Sequence, residues 1–285
     1  MTLLHLSLPP NIARQAGDDI RARFADVIVR EPQTHEEMSD FYNARFGEAQ
    51  ATADLTVTAY PGALTRALTH RNQLAALPAD LPPMRPELAK AGLLESHPFF
   101  KVIGVVPLLL IHHRDVDPPP VGWADLCRAD LAGAVVIPPH STPAPALCKY
   151  WMTRLCGEEG RRAAGQVDPQ LFPQDINKAV DEGRYKAGMV FPAFARTFRN
   201  GMARAVWPEE GALAVPLIAF VKRGAGPDAV AVLRHLLALP FQEMLAVQGL
   251  FAPVLGSAPL FDEMKANGGR LLWMGWEDYA SLGAH

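Results

Sequence analysis

The sequence predicts an α/β fold in which mostly parallel sheets are flanked by helices. Strand-like and helix-like segments alternate through residues 1–100, the pattern of a parallel sheet covered on both faces. Two apolar runs, Val102–His112 and Val215–Val221, read as strands buried on both sides. The first helix between strands carries one apolar stripe at helical spacing.

Taken in order, Leu3–Leu8 is the first strand, and Pro9-Pro10-Asn11 turns it into a helix whose apolar face is Ile12, Ala16, Ile20 and Phe24. Val27–Val29 is a short buried strand. Thr34 followed by Glu37 forms a capping-box pattern that opens a helix through Phe46. Asp54–Ala59 is a strand ended by Tyr60-Pro61-Gly62. A proline-rich connection, Pro78–Pro86, precedes a short helix near Glu87–Leu94 and the long strand Val102–His112. Asp115–Pro120 breaks that strand, Trp123–Leu126 begins a short helix, and Ala134–Ile137 is the next strand. His140-Ser141-Thr142-Pro143 starts a helix expected to run to about Cys156 and stop at Gly157. Gln174–Glu182 is helical with Gly183 behind it, and Ala187–Phe191 is a strand ending at Pro192. Val215–Val221 follows, then a Gly/Pro turn and two helices ending at Gly249.

Bulk properties exclude several functions. With 285 residues, 49% hydrophobic and 20% charged, the chain has the composition of a globular protein with a sizeable core. A net charge of −3 argues against nucleic-acid binding, which needs a concentrated basic surface. The longest apolar stretch, Val102–Ile111, is interrupted by Gly104 and Pro107 and falls short of the ~18 residues of a membrane span.

The three cysteines, Cys127, Cys148 and Cys156, read as reduced and buried. Cys148 and Cys156 lie about 12 Å apart along one helix, too far for a disulfide. The amino terminus has no basic n-region, apolar h-region or small-residue cleavage site. The chain as written is therefore expected in the cytoplasm, or in the periplasm if an export signal has been removed. No Gly-x-Ser-x-Gly elbow, phosphate loop, His-Glu-x-x-His or Cys-x-x-Cys occurs, so no catalytic set is nominated.

Two stretches carry a family resemblance. Trp207–Val254 holds an acidic-Gly turn, a strand ending in Val221-Lys222-Arg223-Gly224, a Pro-started helix, a helix carrying Gln and ending in Gly249, and an Ala252-Pro253-Val254 exit. Pro118–Thr142 holds a Pro-rich turn, Trp123-Ala124-Asp125-Leu126, a Leu-x-Gly turn and a strand closing on a Ser/Thr loop, with Glu182, Gly183, Ala187 and Gly188 following. This order resembles that of type II periplasmic solute-binding proteins of ABC transporters. The resemblance implies two lobes around a cleft: residues 1–100 with 215–255, and 101–214 with 256–285. It implies reversible binding of a small polar or anionic solute with hinge closure, and an ABC transporter permease as partner. The protein is expected to be a monomer and not an enzyme. Two alternatives stay open, a cytoplasmic ligand sensor or carrier on the same fold and an enzyme on it.

Ligands in open parallel sheets bind beyond the carboxyl ends of the strands. That rule nominates four loops, and the resemblance places its ligand contacts on the same ones. The loop after the first strand offers Ser7 and Asn11. That after Asp54–Ala59 offers Ala59, Tyr60 and Pro61. The third offers His140, Ser141 and Thr142, read either as a helix start that attracts an anion or as a plain cap. The fourth offers Phe191, Pro192 and Phe194 as walls, with Arg196 as a bidentate partner for a carboxylate or phosphate. Ferric-binding members of the family place paired tyrosines near this fourth loop, which here reads Phe191-Pro192-Ala193-Phe194. His112 and His113 point to opposite faces of a strand. No metal and no cofactor is therefore expected.

Overall fold

The computed structural model describes residues 1–32 and 53–283. The helix expected over Thr34–Phe46 lies outside the described residues. The chain divides into two compact units, the first Met1–Val106, Pro216–Pro259 and Trp273–His285, the second Pro107–Val215 and Leu260–Leu272.

In the first unit β1 (Thr2–Leu6) pairs in parallel with β2 (Val27–Arg30) on one side and β3 (Leu55–Thr58) on the other. The carboxyl half of β8 (Ala212–Val221) closes on β3 in antiparallel fashion, with Leu55 opposite Val221. β1 and β3 bury Leu4, Leu6, Leu55 and Val57, each at most 1% exposed. β2 was expected to be buried, but it lies at the end of the strand order among the described residues, and Ile28 there is 44% exposed. Among the described residues no single helix is long and apolar enough to cross a membrane. The bent pair Pro227–Leu236 and Leu239–Val247 turns its apolar residues, Val232, Leu233, Leu236 and Leu245, into the interior.

The second unit has a mixed sheet. β5 (Val135–Val136) and β6 (Ala187–Val190) are parallel. β6 and β7 (Ala203–Val206) both pair in antiparallel fashion with the second half of β4 (Phe100–His113). Its core is Leu109, Ile111, Val136, Ile176, Val180 and Val190 with small alanines around them. β4 and β8 each begin in one unit and end in the other, and in each the first residue past the boundary is a proline, Pro107 or Pro216. Neither brings an N–H to the ladder at that point.

The tail differs from expectation. Residues 256–285 were assigned wholly to the second lobe, but from Trp273 onward the chain belongs to the first unit. Its aromatic side chains decide this. Trp276 Nε1 donates to Leu94 O at 2.6 Å, its ring lies 4.8 Å from that of Phe100, and the fully buried Tyr279 donates its hydroxyl to Ala59 O.

Two sequence motifs prove to be one assembly in the second unit. Glu210 accepts Trp123 N–H at 2.9 Å and Ala124 N–H at 3.0 Å, while the buried indole of Trp123 donates to Gly211 O at 2.7 Å. Gly122 makes room, since a Cβ there would sit 2.4 Å from the Glu210 carboxylate, and Gly211 adopts φ +117°. Glu210→Ala should therefore lower stability by about 2 kcal/mol through two orphaned donors to a charged acceptor. Denaturant titration checks this, with Glu210→Gln expected to lose less.

Candidate functional site

In the first unit the loops after β1 and β3 lie side by side because the strands are parallel neighbours in register, Leu6 opposite Val57. Ser7 N–H donates to Val57 O at 2.9 Å, which ties the first loop to the second strand. Pro10 opens the helix Pro10–Arg23 and places Asn11 in its first turn. Asn11 Nδ2 donates to Gln248 O at 3.3 Å, while its Oδ1 is buried and has no partner among the described residues. Such an orphan acceptor is costly unless something donates to it. Tyr60 caps the helix Pro61–Thr69 from an extended conformation, its N–H donating to Thr58 Oγ1 at 3.1 Å and its ring covering Gly62. Pro61 is buried, and the Ala59 carbonyl is taken by Tyr279. These two shape the backbone, whereas Asn11 and Tyr60 present side chains.

In the second unit β5 and β6 are likewise parallel neighbours, so the His140–Thr142 and Phe191–Arg196 loops follow adjacent strand ends. The helix start differs from expectation. Its first residue is Ala144, with Pro143 at the cap, so neither Ser141 nor Thr142 is the cap. Thr142 Oγ1 donates to Pro139 O at 2.7 Å and accepts Ala144 N–H at 3.3 Å, a local turn made by a hydroxyl. With the Ala144 donor taken and Pro145 having none, two of the first three N–H groups are lost to an anion. Ser141 is half-buried, and its hydroxyl has no partner among the described residues; His140 is exposed.

Phe191 is buried and Phe194 packs against the core, their ring centroids 6.4 Å apart, so both rings are committed to packing, and Pro192 is buried as well. Arg196 is paired with Glu263, which arrives on the helix Pro259–Ala266. This corrects the expectation of a guanidinium waiting for a ligand: a carboxylate of the chain already meets it.

Sequence reasoning missed Asp168. Its backbone bridges Val136 at the end of β5, with Ile137 N–H donating to Asp168 O at 3.1 Å. The carboxylate accepts the Tyr185 hydroxyl at 2.5 Å on one oxygen, and its other oxygen is buried without a partner among the described residues. That hydrogen bond, and then burial, raises the Tyr185 phenol above its ordinary range. A one-residue bridge leaves no periodic signal, so Asp168 was not findable from sequence. Among the described residues no three His, Cys, Asp or Glu side chains converge as metal ligands.

The architecture is shared widely among solved structures. Apo ferric ion-binding protein A of Pasteurella haemolytica superposes with TM-score 0.76 at 14% identity, over 99% of this chain and 94% of that one. A ferric binding protein of Campylobacter jejuni matches at TM-score 0.75 and 13% identity, over 100% and 96%. The periplasmic binding protein AfuA of Actinobacillus pleuropneumoniae, with exogenous fructose-6-phosphate bound, matches at TM-score 0.71 and 15% identity, over 99% and 93%. A search of curated proteins returns no match. The fold is that of periplasmic binding proteins, and the family and these neighbours are binding proteins. The family model for bacterial extracellular solute-binding proteins matches residues 24–282, and the chain belongs to that family.

Proposed function

We propose that the protein binds a small polar solute and hands it to an ABC-type membrane transporter, with the strand-end loops of each unit as the candidate contacts. The observation that supports this most is the unspent polar groups at parallel strand ends: the Asn11 carbonyl oxygen in the first unit, and in the second the Ser141 hydroxyl and one oxygen of the Asp168 carboxylate, each in its own segment after or beside β5. Groups that can accept hydrogen bonds predominate, which suits a hydroxyl-rich solute better than a bare anion. With Arg196 neutralised and the Ala144 helix start depleted of donors, the anionic reading loses its two supports.

Two of the similar structures are ferric binding proteins, and a third has fructose-6-phosphate bound. No two tyrosines are adjacent in the sequence, so tandem phenolates have no support there. The fourth loop has no tyrosine, Tyr185 is bonded to Asp168, and Tyr279 is buried on Ala59 O. The reading also includes a monomer that works outside the cytoplasm and does not turn its ligand over.

A thermal-shift panel of polyols and sugars, sugar phosphates, organic acids, polyamines, ferric iron and ferric citrate tests it, since ligand bound only by the folded state raises Tm. Stabilisation by hydroxylated solutes is expected. With the stabilising compound in hand, Asn11→Ala and Ser141→Ala should each weaken affinity about tenfold, one hydrogen bond apiece. Stabilisation by iron species alone, or unchanged affinity in both variants, defeats the proposal.

A further inference from the structure

Two of the three cysteines lie on elements that pack together in the second unit. Cys127 closes the 3-10 turn Trp123–Cys127, and Cys156 ends the first segment of the helix Ala144–Ala164. Immediately after Cys156 the helix breaks at Gly157, at φ 58° and ψ −133°, a conformation that only glycine adopts readily. The chain then folds back so closely that a Cβ on Gly160 would sit 1.8 Å from Met152 O. The turn and the helix pack against one another. Cys156 Sγ lies 3.8 Å from Ala124 O, three residues before Cys127 in the same turn.

Cys148 is different. It is buried, with its sulfur 3.3 Å from Met152 Sδ, whereas Cys127 and Cys156 are both part-exposed. Cys127 also lines a cavity of about 270 Å³ together with Arg128, Glu159 and Arg162, which gives a small oxidant access to it. The expectation of three buried thiols thus holds for Cys148 only. All three are free thiols in this structure. Two thiols with no third ligand do not make a metal site, and among the described residues no such group of three exists.

We propose that Cys127 and Cys156 are a disulfide-forming pair, an oxidation site that staples the Trp123–Cys127 turn to the break at Gly157. Family membership places the protein among extracellular proteins, where disulfides form and persist. The oxidant is a disulfide, either a small one such as oxidised glutathione or that of a dithiol oxidase. One protein thiolate attacks it, releasing one thiol and leaving a mixed disulfide. The second protein thiolate then attacks the protein sulfur and releases the second thiol. Two S–H bonds are lost and one S–S bond forms, while the oxidant's disulfide is reduced to two thiols. Burial, and then the hydrogen bond to Cys156, push the Cys127 thiol up to about 12, so its thiolate is scarce at neutral pH. Closure is accordingly slow at pH 7 and faster at pH 9.

The test uses the full chain, reduced and then equilibrated with oxidised glutathione, followed by thiol counting and peptide mapping without reductant. The expected product has one Cys127–Cys156 linkage and a single remaining thiol, Cys148. Closing a loop of ~30 residues should raise Tm on the order of 5–10 °C, reversed by reductant. Cys156→Ser should lose both the linkage and the Tm gain while keeping the Tm of the reduced protein. Three free thiols after equilibration, a linkage through Cys148, or glutathione adducts that never resolve into an internal bond would each overturn the proposal.

Discussion

Replacing Gln242 with Leu should lower the free energy of unfolding by about 4 kcal/mol, although the substitution is nearly isosteric. Gln242 is fully buried in the first unit, on the helix Leu239–Val247. Its amide nitrogen donates to Ile103 O at 3.0 Å and Leu236 O at 2.7 Å, and its carbonyl oxygen accepts Val254 N–H at 2.8 Å. One side chain thereby satisfies backbone groups from β4, from the end of the preceding helix and from the segment after β9 (Ala252–Pro253). Leucine fills the space but leaves three buried backbone groups without partners, each costing about 1–3 kcal/mol. Urea unfolding followed by far-UV circular dichroism measures the loss. A change below 1 kcal/mol would show that water or a local shift supplies the missing partners.

Gln242 also shows what the sequence could and could not disclose. A helix carrying Gln before Gly249 was part of the family resemblance, yet nothing local indicated that its amide joins three segments, since Ile103 lies 139 positions away. The long buried strands were legible because burial on both faces demands an unbroken apolar run, as in Val102–His112 and Val215–Val221. β7 was not, because its Ala-Arg-Ala-Val has two solvent-facing residues and no apolar run. Two-residue strands such as β9 and β10 (Leu271–Leu272) are too short for any periodicity.

The candidate site divides in the same way. Loops at strand ends followed from strand order, so Asn11, Tyr60 and Ser141 were reachable. The pairing of Arg196 with Glu263 spans 67 positions and depends on where the tail runs. The approach of Cys156 to the turn that carries Cys127 depends on how that short turn packs on a helix. For the same-helix pair Cys148 and Cys156 helical rise alone is enough, whereas nothing local in the sequence links Cys127 to Cys156.

Asp181→Ala should be the most damaging single change in the second unit, costing about 5 kcal/mol, and it should flatten the acid limb of the stability curve. Asp181 ends the helix Pro173–Asp181 and is 3% exposed. Its carboxylate accepts Asn200 N–H at 2.6 Å, Met202 N–H at 2.7 Å and Ala203 N–H at 2.9 Å. Those donors belong to the turn that leads into β7 and to the first residue of β7, so the carboxylate replaces a stretch of ladder that the turn cannot make for itself. Hydrogen bonds to a charged acceptor contribute about 1.5–3 kcal/mol each. Burial by itself raises the carboxyl, but the backbone donors outweigh it and hold the group below its ordinary value. The sign follows from that depression. The unfolded chain takes up the proton first, near the usual aspartate value of about 3.9. The contribution of Asp181 is therefore complete above that pH and is lost as pH falls through the lower folded value. Between pH 6 and pH 3 the unfolding free energy of the native protein should drop more steeply than that of Asp181→Asn, with the difference confined to the region below about pH 4. Parallel slopes in the two proteins would mean that the carboxylate titrates alike in the folded and unfolded chains, and that the turn before β7 is held by something other than its charge.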